Sequence, residues 1–248
     1  MKDLVKKLST DAWRTSGARY NASRRLKRRD LFSTISLSLF AAVGVGLAVV
    51  QRVYSFESGS PADNYITALS VCLGVFLLVV SLVEWGSGNA VKADRLYQNA
   101  EELNAFQRRL AVIVIELEEE AQPLAAEVQK LLKEYDEIKA RCAFNHEPLD
   151  DCLSMATRRF APEFKHQDGS LRYNWFEERW FAMRSIASSI WYFILLWLVI
   201  GGLIVATPWN QSGNSHSSCA TTASATTQKV IQKPALSGQE HLTNQESK

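Results

Sequence analysis

The chain has 248 residues, a charged fraction of 22% and a formal net charge of +2, averages that would suit a soluble domain. The positions of the charges exclude that class. Residues 31–50, 65–83 and 186–206 contain no Asp, Glu, Lys or Arg, and the charges are concentrated between these runs. At about 1.5 Å per residue, each run can cross a hydrocarbon core of about 30 Å, so the sequence predicts an all-α integral membrane protein with three transmembrane helices.

The first 30 residues hold ten basic and three acidic side chains and form a basic arm before the first run. Five cations cluster next to that run, namely Arg24, Arg25, Lys27, Arg28 and Arg29. Each can gain about 1 kcal/mol near an anionic leaflet, so we expect the cluster to face lipid and to set the topology. The alternative is that part of the arm docks on acidic residues of the middle segment, for which Glu116 and residues 118–120 are candidates.

Small residues recur at every fourth position of the first run, at Thr34, Ser38, Ala42 and Gly46. This spacing places them on one face of a helix. The face suits close helix packing, which is the favoured interpretation, or the lining of a narrow pore in an oligomer. No run has an ionisable residue at its centre, which disfavours a proton-coupled transporter or a charge-selective filter.

Counts of Lys and Arg predict the orientation. Between the first two runs the chain carries only Arg52, residues 86–185 carry fourteen basic residues, and the tail from residue 207 carries three. The positive-inside rule therefore places the N-terminus and residues 86–185 in the cytoplasm and the C-terminus outside. The predicted organisation is a basic arm (1–30), a transmembrane hairpin (31–85, with spans at about 31–50 and 65–83), a cytoplasmic helical domain (86–185), a third transmembrane helix (186–206) and a disordered polar tail (207–248).

Two stretches of the middle segment show apolar residues at alternating steps of three and four, typical of amphipathic helices. The first comprises Leu96, Ala100, Leu103, Phe106, Leu110, Ile113 and Leu117, and the second Leu124, Val128, Leu131, Tyr135, Ile138 and Cys142. Pro123 lies between them and suits the first turn of a second helix, so the pattern predicts an antiparallel helical hairpin. Gly86 and Gly88 are candidates for a hinge before it, and a short helix is expected near 153–160.

Four aromatic residues precede the third run among arginines, namely Trp175, Phe176, Trp180 and Phe181. This composition suits the headgroup boundary of a membrane. Packing of the same rings on the helical hairpin is an equally supported interpretation.

Groups that would indicate catalysis, a cofactor or a metal are not apparent in the sequence. Cys142, His146 and Cys152 lie near one another, but their irregular spacing is weak evidence for a metal site. A structural role is favoured, in which Asn145 and His146 cap the last turn of the hairpin and Asp150 accepts a hydrogen bond from the imidazole or from nearby amides. No enzyme activity and no cofactor are therefore expected.

Two sets of residues resemble the SLATT family, the SMODS and SLOG-associating transmembrane effectors. The first is Trp13-Arg14-Thr15, Arg19, Ala22 and Arg25-Leu26, leading into a Ser-rich span, and the second is Tyr135 followed by Asn145-His146 and Asp150. The similarity runs from about Trp13 to Asp150, and the third run resembles a subgroup with an additional C-terminal membrane helix. Asp151 stands where the family pattern has an aromatic residue.

This resemblance implies an effector of bacterial antiviral conflict systems, which oligomerises and perforates or depolarises the inner membrane. It implies activation by a cytoplasmic sensor, such as a nucleotide-second-messenger synthetase, a nucleotide-sensing domain or a reverse-transcriptase-like protein, and growth arrest or death of the infected cell. The candidates for holding the resting conformation are Arg19, Arg25, Tyr135, Asn145, His146 and Asp150, as coupling residues and not as catalysts. A non-conducting anchor or scaffold that recruits a partner through the hairpin, and a constitutive channel or transporter, remain the alternatives.

Overall fold

The computed structural model describes residues 2–54, 58–119 and 125–207, and the side chains of all of these except 117–119. In chain order they form α1 (Lys2–Val53), α2 (Pro61–Ser87), α3 (Asn89–Glu119), α4 (Ala125–Ala140), α5 (Pro148–Thr157), a 3-10 turn (Pro162–Phe164) and α6 (Trp175–Val205). The described ranges contain no strand. Pro123 and the tail from residue 208, with the turn and the disorder predicted for them, lie outside these ranges.

Three helical stretches are long and apolar enough to cross a membrane: α1, α2 together with its continuation α3, and α6. Each contains one of the three apolar runs. The prediction of an all-α membrane protein with three candidate spans is therefore confirmed.

Helix α1 runs without a break through both the basic arm and the first apolar run. Its 52 residues correspond to a length of about 78 Å at 1.5 Å per residue. Here "the arm" denotes residues 2–30 of this helix. Because no loop separates the arm from the apolar part, a rotation or tilt of the arm moves the first span as well.

The apolar parts of α1, α2 and α6 pack around one cluster of buried side chains: Phe40, Leu47, Ile66, Leu73, Phe193, Leu196 and Ile200. The Phe40 and Trp197 rings lie 4.4 Å apart between centroids, and Trp197 Nε1 donates a hydrogen bond to Ser36 Oγ at 3.3 Å. Tyr65 Oη donates to the carbonyl of Leu203 at 2.8 Å and ties α2 to α6. Aromatic and aliphatic side chains thus pack between the three helices and leave an apolar cavity of about 220 Å³ beside Leu73 and Leu196.

Outside the apolar runs, the arm packs on α3, α4 and α5, and we call these three helices the helical domain. The main core between them and the arm contains Val5, Leu8, Ala12, Leu103, Phe106, Leu110, Val128 and Ile138. Helices α3 and α4 are antiparallel, since Arg109 pairs with Glu134 and Arg141 Nη1 lies 3.2 Å from Glu102 Oε2. The predicted helical hairpin is therefore present.

The arm covers much of the seam that the sequence pattern predicts on α3. Leu96, Ala100, Leu103, Phe106 and Leu110 are each at most 1% exposed. The core that includes Leu103, Phe106 and Leu110 combines arm residues with residues of α4. The seam thus packs on the arm as well as inside the hairpin, because an α3–α4 pair alone would leave the apolar face of the arm exposed.

Helix junctions follow local sequence signals. Gly88 has φ 59°, the left-handed conformation that glycine adopts without strain, and it separates α2 from α3 at the predicted hinge position. Helix α5 begins at Pro148 and ends at Thr157. It therefore starts five residues before, and ends three residues before, the short helix predicted near 153–160. Proline suits the first helical position because its missing N–H has no partner there in any case.

The aromatic residues before the third run are exposed at the start of α6. Trp175, Phe176 and Trp180 are 53%, 77% and 59% exposed. Phe181 packs edge-on against Tyr173, with centroids 5.8 Å apart. The three exposed rings therefore do not pack on the helical hairpin. Of the two interpretations of these aromatic residues, their exposure favours a position at the headgroup boundary.

Candidate functional site between the arm and the helical domain

The arm joins α5 through a buried, two-point ion pair. Arg25 Nε and Nη2 donate to the two carboxylate oxygens of Asp150 at 3.1 and 3.0 Å, and Arg25 Nη1 lies 2.9 Å from Glu147 Oε1. The Asp150 side chain is fully buried and that of Arg25 is 13% exposed. Burial lowers the pKa of Arg25, but the hydrogen bonds and charges of Asp150 and Glu147 outweigh it, so its pKa is raised overall.

Local structure holds Asp150 in place. It lies in the first turn of α5 and accepts a hydrogen bond from the Glu147 backbone N–H at 3.0 Å. Its own carbonyl accepts from Asn21 Nδ2 of the arm at 3.1 Å. A carboxylate is also favoured at the N-terminus of a helix by the helix dipole. The α5 N-terminus thus offers a fixed acceptor for the arginine of the arm.

Asp151, the position that departs from the family pattern, makes a second ion pair with the arm. Arg14 Nε donates to Asp151 Oδ1 at 2.8 Å, and Arg14 Nη2 contacts the other oxygen. The Asp151 side chain is 16% exposed. The hydrogen bond from Asp151 raises the pKa of Arg14. An ionic contact thus occupies the position of the expected aromatic residue.

Arg19 is buried in the interface without a carboxylate partner among the residues that the structure describes. Its guanidinium donates to Asn99 Oδ1 of α3, and Asn99 Nδ2 donates to the carbonyl of Ile138 at 2.5 Å. Arg19 and Asn99 are 4% and 3% exposed, and burial lowers the pKa of Arg19. Sequence reasoning missed Asn99, although a polar residue three positions after Leu96 in an apolar seam was an available signal.

Tyr135 also joins the arm, whereas Asn145 does not. The Tyr135 hydroxyl shares a hydrogen bond with Thr15 Oγ1 at 3.1 Å, and its ring stacks on Phe106 with centroids 6.1 Å apart. Asn145 is exposed and its Oδ1 accepts from the His146 backbone N–H at 3.0 Å. The expected cap on the hairpin is therefore not formed by Asn145, because α4 ends at Ala140, five residues earlier.

His146 lies half-buried at the same interface with Nδ1 unpaired among the described residues. Burial lowers its pKa, and the charges of Arg19 and Arg14 lower it further against the opposing carboxylates Asp151 and Asp150. Of the two donors expected for Asp150, the structure shows the nearby amide and not the imidazole: the Glu147 backbone N–H and Arg25 donate to that carboxylate.

The basic cluster beside the first span contacts protein at four of its five positions. Arg25 pairs with Asp150, Lys27 Nζ lies 3.0 Å from Asp94, Arg29 Nη2 lies 3.1 Å from the nearly buried Glu84, and Arg28 Nη2 donates to Ser185 Oγ at 3.0 Å. Only Arg24 lacks such a contact in the described structure. The arm thus docks on carboxylates, which was the alternative to a cluster that faces lipid. The carboxylates differ from the candidate Glu116, which is exposed. The side chains of the other candidates, residues 118–120, are not described.

The small-residue face of α1 points away from the other helices of the chain. Thr34, Ser38, Ala42 and Gly46 are exposed, whereas Ser33, Ser36, Phe40 and Leu47 on the opposite face are buried. The Thr34 and Ser38 hydroxyls donate to carbonyls one turn earlier on their own helix, at 3.0 and 2.8 Å. The four residues therefore do not mediate packing inside one chain.

Residues 1–207 match the family described as SMODS and SLOG-associating 2TM effector domain family 5. The match includes the arm, the arm interface and all three candidate spans, and so extends beyond the two spans that the family description mentions. Neither curated proteins nor solved structures gave a significant match.

Proposed function

Because the chain belongs to the SMODS and SLOG-associating 2TM effector domain family 5, whose members are transmembrane effectors of conflict systems, we propose that it disrupts a membrane as an oligomer. Disruption begins when a cytoplasmic signal rearranges the contacts between the arm and helices α3, α4 and α5. The membrane is the inner membrane of a bacterium, with the helical domain in the cytoplasm, and the outcome is arrest or death of the infected cell.

The continuity of α1 carries this proposal. One uninterrupted helix contains Arg14, Arg19 and Arg25, which bind the helical domain, and also the first span. A signal that separates Arg25 from Asp150 and loosens the other contacts of the arm lets the whole of α1 move. The first span, at the other end of this helix, then tilts or rotates without any local unfolding.

The packing of the three spans favours an oligomer over a passage through one copy. Rings and aliphatic side chains pack between α1, α2 and α6, including Phe40, Phe193 and Leu196 at 7% exposure or less, and the cavity of about 220 Å³ that remains between them is lined by apolar side chains. An aqueous path through this cluster would require its unpacking. A path between copies, or a disturbance of the lipid around them, leaves the cluster intact.

The outward face of α1 supplies the contact between copies. Thr34, Ser38, Ala42 and Gly46 allow close approach of a second helix, and in lipid such approach is driven by van der Waals packing. The two hydroxyls are satisfied by their own helix and can also meet water. Helix packing and pore lining thus belong to the same face in different states of the assembly.

The test is inducible expression in bacteria, with a potential-sensitive dye and in-cell crosslinking as readouts. Ala42→Leu places a bulky side chain on the small-residue face and is expected to abolish depolarisation and reduce crosslinked oligomers. Ala68→Leu, at an exposed position of α2, makes the same change elsewhere and is expected to behave as wild type.

Asp150→Asn adds a test of the coupling step. This variant weakens the hold on the arm and is expected to depolarise cells without the genes that neighbour this one, whereas wild type requires them. Normal membrane potential in every strain, together with recruitment of a partner protein to the membrane, would favour the scaffold and contradict the proposal. Equal depolarisation by the Ala42 and Ala68 variants would remove the assigned oligomer face.

A further inference from the structure

A polar cleft of about 510 Å³ lies between the arm, α3 and α5. Its walls include Tyr20 and Arg24 of the arm, Tyr97 and Glu101 of α3, and Ser154 and Arg158 of α5. This volume is within the range of small-molecule sites, about 300–1,000 Å³. The cleft contains neither Arg25 nor Asp150, and the proposed membrane disruption does not account for it.

Two arginines of the cleft have no carboxylate partner in the described part of the chain. Arg158 is half-buried, donates from Nη1 to Ser154 Oγ at 3.0 Å, and lies 5.1 Å from the centroid of the Trp13 ring. Arg24 is exposed and makes no ion pair there. By contrast, Arg14, Arg25 and Arg29 are all paired with carboxylates.

The charges around these arginines favour an anion. Burial lowers the pKa of Arg158, and the charge of Arg24 lowers it further, so two like charges oppose each other across the cleft. The acidic residue that lines the cleft, Glu101, lies beside Tyr20 and does not pair with either arginine in the described structure. Burial and the Glu101 carboxylate raise the pKa of the Tyr20 hydroxyl. A ligand with concentrated negative charge would relieve the repulsion between the arginines.

Aromatic rings form another part of the wall. Tyr20 and Tyr97 meet edge to face with centroids 5.5 Å apart and an interplanar angle of 72°. Lys27 Nζ lies 5.3 Å from the centroid of the Tyr97 ring. Tyrosine rings present both an apolar surface and a polar tip to a planar ligand.

The cleft extends along the arm away from the lipid headgroups. Arg24 precedes the first apolar run by seven residues of continuous helix, about 10 Å, and Gly17 precedes it by fourteen residues, about 21 Å. The Arg158 guanidinium packs directly against Gly17. A Cβ at position 17 would overlap this guanidinium, so only glycine leaves room for it. A soluble ligand reaches this depth more readily than a phospholipid headgroup does.

We propose that this cleft binds a small soluble ligand that carries phosphate and an aromatic ring, as a nucleotide does. Arg24 and Arg158 hold the phosphate, and the tyrosine pair contacts the ring. Because the site joins the arm to α3 and α5, the ligand alters the same interface that Arg25 and Asp150 hold. Its binding is measurable without any membrane damage.

The experiment is calorimetric titration of the full-length protein in phosphatidylcholine nanodiscs with ATP, inorganic pyrophosphate and adenosine. We expect saturable binding of ATP, weaker binding of pyrophosphate and the weakest binding of adenosine. Arg24→Gln and Arg158→Gln should each weaken ATP binding about tenfold or more, as expected for a lost charge-assisted hydrogen bond. Arg108→Gln, which removes one charge from an exposed position of α3 outside the cleft, should leave it unchanged.

Absence of saturable ATP and pyrophosphate binding would overturn the proposal, as would equal affinities in the Arg24 and Arg108 variants. Arg24 is exposed, so its substitution keeps the test valid even if the Arg158 variant misfolds. Nanodiscs that contain phosphatidylglycerol supply the lipid alternative. If ATP bound in phosphatidylcholine discs through Arg24 but failed to bind in phosphatidylglycerol discs, the headgroup would be the occupant of the cleft. That result would reject a soluble ligand.

Discussion

Arg25 and Asp150 are 125 positions apart in the chain and form the most enclosed ion pair of the described structure, with two hydrogen bonds of 3.1 and 3.0 Å and a carboxylate that is fully buried. One residue belongs to a helix that continues into the first span, and the other to the N-terminus of α5. Breaking this pair therefore has a local energetic cost and a mechanical consequence for the span.

Removal of one member of the pair is expected to destabilise the helical domain strongly. Asp150→Asn gives the Arg25 guanidinium a neutral acceptor in a buried site and leaves the exposed Glu147 carboxylate as its only ionic partner in the described structure, at a cost of about 1.5–3 kcal/mol. Glu102→Gln breaks the exposed pair with Arg141 and should cost about 0–1 kcal/mol. Chemical denaturation in detergent measures both, and a double-mutant cycle with Arg25→Gln isolates the coupling. Equal losses for the two single variants would contradict the assigned role of burial.

The Arg19–Asn99 contact gives a second prediction. Asn99→Leu removes the acceptor for a buried guanidinium and the donor to the Ile138 carbonyl together, so we expect a loss of at least about 2 kcal/mol. Gln98→Leu makes a comparable change on the exposed face of the same helix and should lie within about 0.5 kcal/mol of wild type. A stable Asn99 variant would mean that Arg19 finds another partner or water.

The contrast between Leu96 and Asn99 shows how far the sequence predicts this fold. Charge-free runs of about twenty residues and a repeating apolar seam depend on local composition and periodicity, so the spans, the hairpin and the burial of Leu96 could be predicted. The partner of that seam could not be predicted, because periodicity identifies a buried face without identifying what covers it. The arm covers much of it here, which also explains why cations expected to face lipid bind carboxylates of α2, α3 and α5.

Site residues divide in the same way. The resemblance placed Arg25 and Asp150 among the candidates, and the structure joins them in one ion pair. It placed Asn145 there too, yet among the residues that the structure describes this side chain accepts a hydrogen bond only within its own loop. Asp151 with Arg14 was unforeseen, since a pairing across 137 residues has no local sequence signal.

Gly17 provides a test of the contact between α1 and α5. Glycine inside a helix is usually about 1 kcal/mol less favourable than alanine, so Gly→Ala is normally stabilising. At Gly17 a Cβ would overlap the Arg158 guanidinium and Ser154 Oγ, so Gly17→Ala should instead destabilise the protein by about 1–3 kcal/mol. Gly86→Ala is the control, because a Cβ there meets nothing within 4 Å. A higher midpoint of thermal unfolding for the Gly17 variant would show that α5 moves aside without cost.

His146 predicts a pH dependence of stability with a definite sign. Burial, together with Arg19 and Arg14, lowers the pKa of His146 in the folded protein below the ordinary value of about 6.5. The unfolded chain therefore binds a proton more readily, and the contribution of His146 is complete above about pH 6.5 and is lost as pH falls from there through the folded-state pKa. His146→Gln should reduce the drop in thermal midpoint between about pH 7.5 and about pH 5.5. His166→Gln, at an exposed position, should keep the wild-type drop. If both variants kept it, titration of other groups would account for the pH dependence, and His146 would not be the group that carries it.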